Sequence, residues 1–202
     1  ADQALVAASC EPLVLELSPQ ERWTRAEQLF LEGRYDEGRP LLHEVLARDP
    51  SRRQDVALLG LQWCHTDPDS AFQLIDLSAD AAIAAGDWES AAAGLQELVT
   101  RVPSHLPALM RLVEVSVDGG LGATLYSAQA QLADAYLDAG AAKEAHFIAE
   151  DLVAREPWER AHLERFRRSL VMLGEPDPDS VIVQRLSGEV PFVCFVEDVA
   201  AT

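Results

Sequence analysis

Leu132-Ala133-Asp134-Ala135-Tyr136-Leu137-Asp138-Ala139-Gly140-Ala141-Ala142-Lys143-Glu144-Ala145, continued through Ala149 and Leu152 to Glu156-Pro157, decides the fold. Small and apolar residues recur at helical spacing on both sides of one glycine and stop at one proline. Gly140 stands where a helix needs a left-handed residue to end, and Pro157 where a second helix cannot continue. The pattern occurs twice more. Gly33-Arg34-Tyr35-Asp36-Glu37-Gly38 runs through Leu42 and Val45 to Asp49-Pro50, and Gly86-Asp87-Trp88-Glu89-Ser90-Ala91 runs through Leu95 and Leu98 to Val102-Pro103. In all three the proline follows the glycine by 17 residues. A small residue five positions after each glycine (Gly38, Ala91, Ala145) allows two helix backbones to approach closely. Self-similarity at fixed internal spacing is the mark of a repeat architecture.

The constellation resembles the tetratricopeptide repeat family. The third unit carries Leu132, Ala133, Tyr136, Gly140, Ala145 and Pro157. The second carries Ala79, Ile83, Gly86, Trp88, Ala91 and Pro103, and the first Ala26, Phe30, Gly33, Tyr35 and Pro50. Gly38 and Pro40 replace the alanine and helix former usual in the first unit, with Pro40 early enough in its helix to be tolerated. The resemblance implies an all-α fold, a right-handed solenoid of about ten antiparallel helices that binds another protein.

One departure is the step between units. Glycines 33, 86 and 140 are 53 and 54 residues apart, against about 34 in tandem arrays of the family. Each surplus holds one further amphipathic helix, in Ser51 to Cys64, Ser104 to Val117 and Trp158 to Leu173. Asp67-Pro68-Asp69-Ser70 and Asp177-Pro178-Asp179-Ser180 read as helix starts, with Asp as N-cap and Pro as first helical residue. The expected organisation is an extended segment over 1–18, a helical repeat domain over 19–188 with Val181 to Leu186 as its last helix, and an extended apolar segment over 189–202.

Composition narrows the partner. Acidic residues number 34 against 16 basic ones, for a formal charge of −18. That opposes nucleic acid and anionic membranes and favours a basic protein segment. No apolar run reaches the ~20 residues of a membrane-spanning helix, so no membrane insertion is expected. Cys10, Cys64 and Cys194 lack disulfide or zinc spacing, which fits a reducing cytoplasm.

The resemblance also nominates a groove. Ligand-facing positions of the family fall on Trp23, Glu27 and Phe30 in the first unit and on Gln73, Asp76, Asp80 and Ile83 in the second. In the third they are Ser127, Ala130, Asp134, Leu137 and Asp138. Cationic clamp residues that hold a terminal carboxylate in some members are absent from these positions. An acidic groove with an aromatic floor is expected instead, suited to a basic or amphipathic peptide or helix.

Two apolar stretches flank the array. Glu11-Pro12-Leu13-Val14-Leu15-Glu16-Leu17 and Val190-Pro191-Phe192-Val193-Cys194-Phe195-Val196-Glu197 read as extended. They either fold back on their own chain or join copies head to tail into a homo-oligomer. In that alternative the contacts are Leu13, Leu15, Leu17, Phe192, Val193, Phe195 and Val196. Histidines 43, 65, 105, 146 and 162 are scattered, with neither a nucleophile constellation nor a phosphate-binding glycine loop. The chain reads as non-enzymatic, with no cofactor and no metal.

Overall fold

The computed structural model describes residues 17–188. They form ten α-helices: α1 Pro19–Leu31, α2 Tyr35–Arg48, α3 Arg53–Trp63, α4 Pro68–Ala84, α5 Trp88–Arg101, α6 Leu106–Asp118, α7 Gly122–Asp138, α8 Ala142–Arg155, α9 Arg160–Met172 and α10 Pro178–Ser187. The chain is all-α, with no strand among the described residues. All three surplus stretches carry a helix (α3, α6, α9). Two compact units divide between Asp49 and Pro50, inside the stretch expected as one helical domain and at the first repeat-ending proline.

The first unit holds α1 and α2. Helix α1 opens with a capping box: Glu21 N–H donates to Ser18 Oγ, and Ser18 N–H donates back to the Glu21 carboxylate. Trp23, Ala26, Leu29 and Phe30 on α1 and Gly38, Leu42, Val45 and Leu46 on α2 are buried. A Cβ at Gly38 would lie 2.9 Å from the Phe30 ring. Glycine therefore replaces the alanine of the other units because a phenylalanine takes its space. Pro40 is accommodated within α2, which runs on to Arg48.

The second unit holds α3 to α10, each packed on the next. Its largest core joins Cys64 beside α3 to Ala71, Ile75 and Ala79 of α4, Leu95 and Leu98 of α5, Leu109 and Leu112 of α6, and Leu132 of α7. A smaller core joins Ala149 and Val153 of α8 to Phe166 and Leu170 of α9. Helix ends repeat one device. After α4, α6, α7 and α9 comes a glycine with φ between +65° and +83°, and the following N–H closes onto a carbonyl five residues back, as in Asp87 to Ala82 (2.9 Å) and Ala141 to Tyr136 (2.9 Å). Helices α5 and α8 end differently. Val102 (φ −131°, ψ 76°) and Glu156 (φ −130°, ψ 70°) have left the helical region, as the prolines after them demand.

Helix starts also follow the sequence. Ser70 N–H donates to Asp67 (3.0 Å) and Ser180 N–H to Asp177 (3.1 Å). A less expected cap is His105. Its Nδ1 accepts Ala108 N–H (3.2 Å), which puts the ring proton on Nε2, 3.1 Å from Asp69 Oδ1. Of the flanking-segment residues, Leu17 is exposed before α1. Leu13, Leu15, Phe192, Val193, Phe195 and Val196 lie outside the described residues.

Candidate functional site

The two aromatics nominated as the floor of a groove do not line one. Trp23 is 7% exposed and Phe30 1%, so both belong to the interior of the first unit, with Glu27 half-buried beside them. In the second unit Leu137 is buried as well, and Gln73 and Ile83 are half-buried. An aromatic on an amphipathic helix satisfies the periodicity of a core face and of a ligand face equally, and here the core took it.

The four aspartates are each engaged by an arginine from two helices onward. Arg111 of α6 reaches Asp76 (2.8 Å) and Asp80 (2.5 Å) of α4, with Glu114 also at 2.8 Å. Arg165 of α9 donates two bonds to Asp134 of α7 (2.9 and 2.8 Å), and Arg168 reaches Asp138 at 3.3 Å. Asp80 to Asp134 and Arg111 to Arg165 are both steps of 54 residues. Burial weighs against the Arg111 charge, but hydrogen bonds from Arg111 to Glu114 and Asp76 outweigh it and hold its pKa above the ordinary range. The acidic positions thus brace α4 to α6 and α7 to α9, and much of their charge is spent within the chain.

A different concavity has the character of a docking site. It lies among α6, α7 and α8, holds about 530 Å³ and is lined by Met110, Val113, Leu132, Tyr136, Phe147 and Ile148, with Lys143 and Glu144 at the polar part of the lining. Each helix contributes by simple spacing: i and i+3 on α6, i and i+4 on α7, and two adjacent pairs one turn apart on α8. Met110 is 53% exposed and Phe147 54%. Tyr136 Oη donates to Met110 Sδ at 3.6 Å, fixing a polarizable thioether against an aromatic edge. In the sequence, Phe147 and Ile148 fall off the Ala145, Ala149, Leu152 stripe that packs α8. Apolar residues on a second stripe were the signal for this groove.

Around the histidines, one cluster has the composition of a catalytic triad without its geometry. His146 Nδ1 lies 3.1 Å from Ser169 Oγ, and His146 Nε2 lies 3.9 Å from Glu150. Ser169 is fully buried and donates its own hydrogen to the Phe166 carbonyl (2.7 Å). Its oxygen therefore accepts from the imidazole and is closed to a substrate. Cys64 is a buried free thiol. No group of three or more His, Cys, Asp or Glu among the described residues is placed to hold a metal, and none of their helices is long and apolar enough to cross a membrane. No protein-family model matches the chain, and no curated protein matches its sequence.

Proposed function

We propose that this chain is a non-enzymatic protein-interaction scaffold, a tetratricopeptide-like α-solenoid whose docking face is the α6–α8 groove. The observation that carries the reading is the pairing of Met110 and Phe147, two large apolar side chains left half in water over a preformed concavity. Isolated surface hydrophobics need no explanation, but a convergent set lining one cleft does. Covering a side chain of this size fully is worth about 1.5–3 kcal/mol. The two would anchor a partner as hot spots do, with Lys143 and Glu144 as polar rim.

The occupant that fits is an amphipathic helix or peptide with apolar anchors one turn apart and basic residues on its flank. The anchors match the groove, and the basic flank matches a chain carrying −18. Support for the solenoid comes from the 54-residue recurrence of the Asp–Arg brace and from the repeated glycine closures. Three helices per period account for the 53- and 54-residue steps.

The test is selection from a library of helical peptides against the full chain. Selected peptides should carry apolar residues at i, i+3 or i+4 with Lys or Arg beside them, and should bind Met110→Ser/Phe147→Ser at least about tenfold more weakly, the loss of roughly one anchor. Asp80→Asn/Asp134→Asn, which keeps a hydrogen-bond acceptor for Arg111 and Arg165, should leave binding through this groove largely intact. Peptides indifferent to the groove variant, or sensitive only to the aspartates, would move the docking face elsewhere. Selection of nothing would end the scaffold reading.

A further inference from the structure

The α6–α8 groove carries a charge that the helices around it leave unanswered. Lys143, in its polar lining, is the one lysine of the sequence. The arginines nearby hold carboxylates, as Arg165 holds Asp134 (2.8 Å) and Arg185 holds Glu150 (3.0 Å). Among the described residues no carboxylate pairs with Lys143. An unpaired lysine on a surface is ordinary, but beside the half-exposed Met110 and Phe147 it sets what the cleft accepts: an apolar stretch with acid at one end. The sequence contains one within reach. Val190-Pro191-Phe192-Val193-Cys194-Phe195-Val196 carries no charge, and Glu197-Asp198 follow at once.

The reach is set by where α10 ends. Val181 and Ile182 seat α10 on the core of α8 and α9, and Arg185 ties its last turn to Glu150 of α8. Phe147 precedes Glu150 by three residues on α8, and Gly188 follows Arg185 by three. One helix spacing and a turn along each helix put Gly188 on the order of 20 Å from the edge of the groove. Seven residues of chain span up to about 23 Å, which brings Phe195 to that edge. A segment tethered so closely meets the groove at an effective concentration on the order of millimolar, so a weak affinity suffices to hold it there.

We infer that residues 190–198 are the resident occupant of the α6–α8 groove of their own chain, with Phe192 and Phe195 against Met110 and Phe147 and Glu197-Asp198 toward Lys143, and that a partner binds by displacing them. This rests on the groove being the docking face and adds its regulation. Charge makes the resident displaceable: its acid suits Lys143 and is opposed by the field of a chain carrying −18. A partner with similar anchors and a basic flank escapes that repulsion. The groove is open only for the fraction of time that the segment is away, and partner affinity falls by that fraction.

Two measurements on the full chain test this, with Phe192→Ser/Phe195→Ser as the variant whose resident is weakened. In fluorescence anisotropy, the tightest peptide from the helical library should bind the variant at least about tenfold more tightly than wild type, as for a wild-type groove open about one-tenth of the time. In methyl NMR, Met110 and Met172 give the two methionine signals. Loss of the two rings should move the Met110 methyl and leave that of Met172 in place, at every protein concentration. Equal peptide affinity in the two chains would overturn the displacement and leave the docking face standing. A Met110 methyl that stays in place, or a Met172 methyl that moves instead, would overturn the contact itself. A Met110 shift that develops only as concentration rises would also overturn it, by assigning the segment to a second copy's groove. A library that yields no peptide would end the scaffold reading, and the methyl spectrum would still decide the contact.

Discussion

Helices α4 and α10 begin with the same four residue types and end as different objects. Asp67-Pro68-Asp69-Ser70 and Asp177-Pro178-Asp179-Ser180 form the same N-cap, with serine N–H donating to aspartate at 3.0 and 3.1 Å. From there α4 runs 17 residues and buries eight, while α10 runs ten and buries none of them. Seven residues before the cap stands Gly60 in one case and Leu170 in the other. A Cβ on Gly60 would lie 2.9 Å from the Ala71 carbonyl, so α3 and α4 meet backbone to backbone. Helix α10 instead sits on the Leu170 side chain. Local chemistry sets where a helix starts, and burial sets whether it is structure or cover.

The comparison predicts its largest difference at the buried isoleucine. Ile75 is fully buried in the main core, so Ile75→Ala should cost about 3 kcal/mol in urea unfolding. Ile182→Ala, at a half-buried position, should cost about 1 kcal/mol or less and act on α10 alone. Equal costs would make α10 an integral part of the core. Next comes Gly60→Ala. The added methyl meets backbone as well as Ile75 and Leu74, so α4 must shift, at about 2 kcal/mol. A neutral Gly60→Ala would mean that α4 is held as loosely as α10.

How much of this could be read in the chain follows from the same contrast. Backbone necessities were legible: Gly86 and Gly140 mark helix ends because few other residues adopt their φ, and Pro103 and Pro157 end α5 and α8 because the residue before a proline is driven out of the helical region. The helices α3, α6 and α9 were legible as amphipathic stretches after those prolines. Side-chain allegiance was not. Trp23 and Phe30 satisfied core and ligand periodicities alike, and Asp80 and Asp134 looked free because their arginines lie 31 residues away in the chain. The 54-residue step that aligns the glycines also aligns Arg111 with Arg165, so the braces were open to the repeat argument. The α6–α8 groove was less so, being assembled from three helices none of which carries a motif for it.

A smaller effect tests the caps. Asp67→Ala should cost about 1 kcal/mol of global stability, since α4 must form for the core to form. Asp177→Ala removes an equivalent bond, yet should leave the urea midpoint nearly unchanged and appear as faster amide exchange within α10. A matched loss of global stability from both would erase the distinction between the two helices.

The smallest expected effect is electrostatic and lies beneath α10. Ser169 gives its hydrogen to the Phe166 carbonyl, so His146 donates from Nδ1 and leaves Nε2 bare toward Glu150. Burial pushes the His146 pKa below the ordinary imidazole value near 6.5; Glu150 opposes this and Arg185 adds to it. The neutral ring is thus favoured in the folded state. The unfolded chain binds more protons in the window between the depressed pKa and about 6.5, so stability is complete above that window and declines as pH falls through it. Arg185→Ala removes one cause of the depression and leaves Glu150 to act on His146 alone, so the His146 pKa should rise in an NMR titration of the imidazole. Loss of α10 and protonation of His146 then reinforce each other, since each relieves the other's competition for Glu150. An unchanged His146 pKa in Arg185→Ala would place Arg185 away from Glu150 in solution, leaving Val181 and Ile182 as the contacts that hold α10 where α4 has eight buried residues.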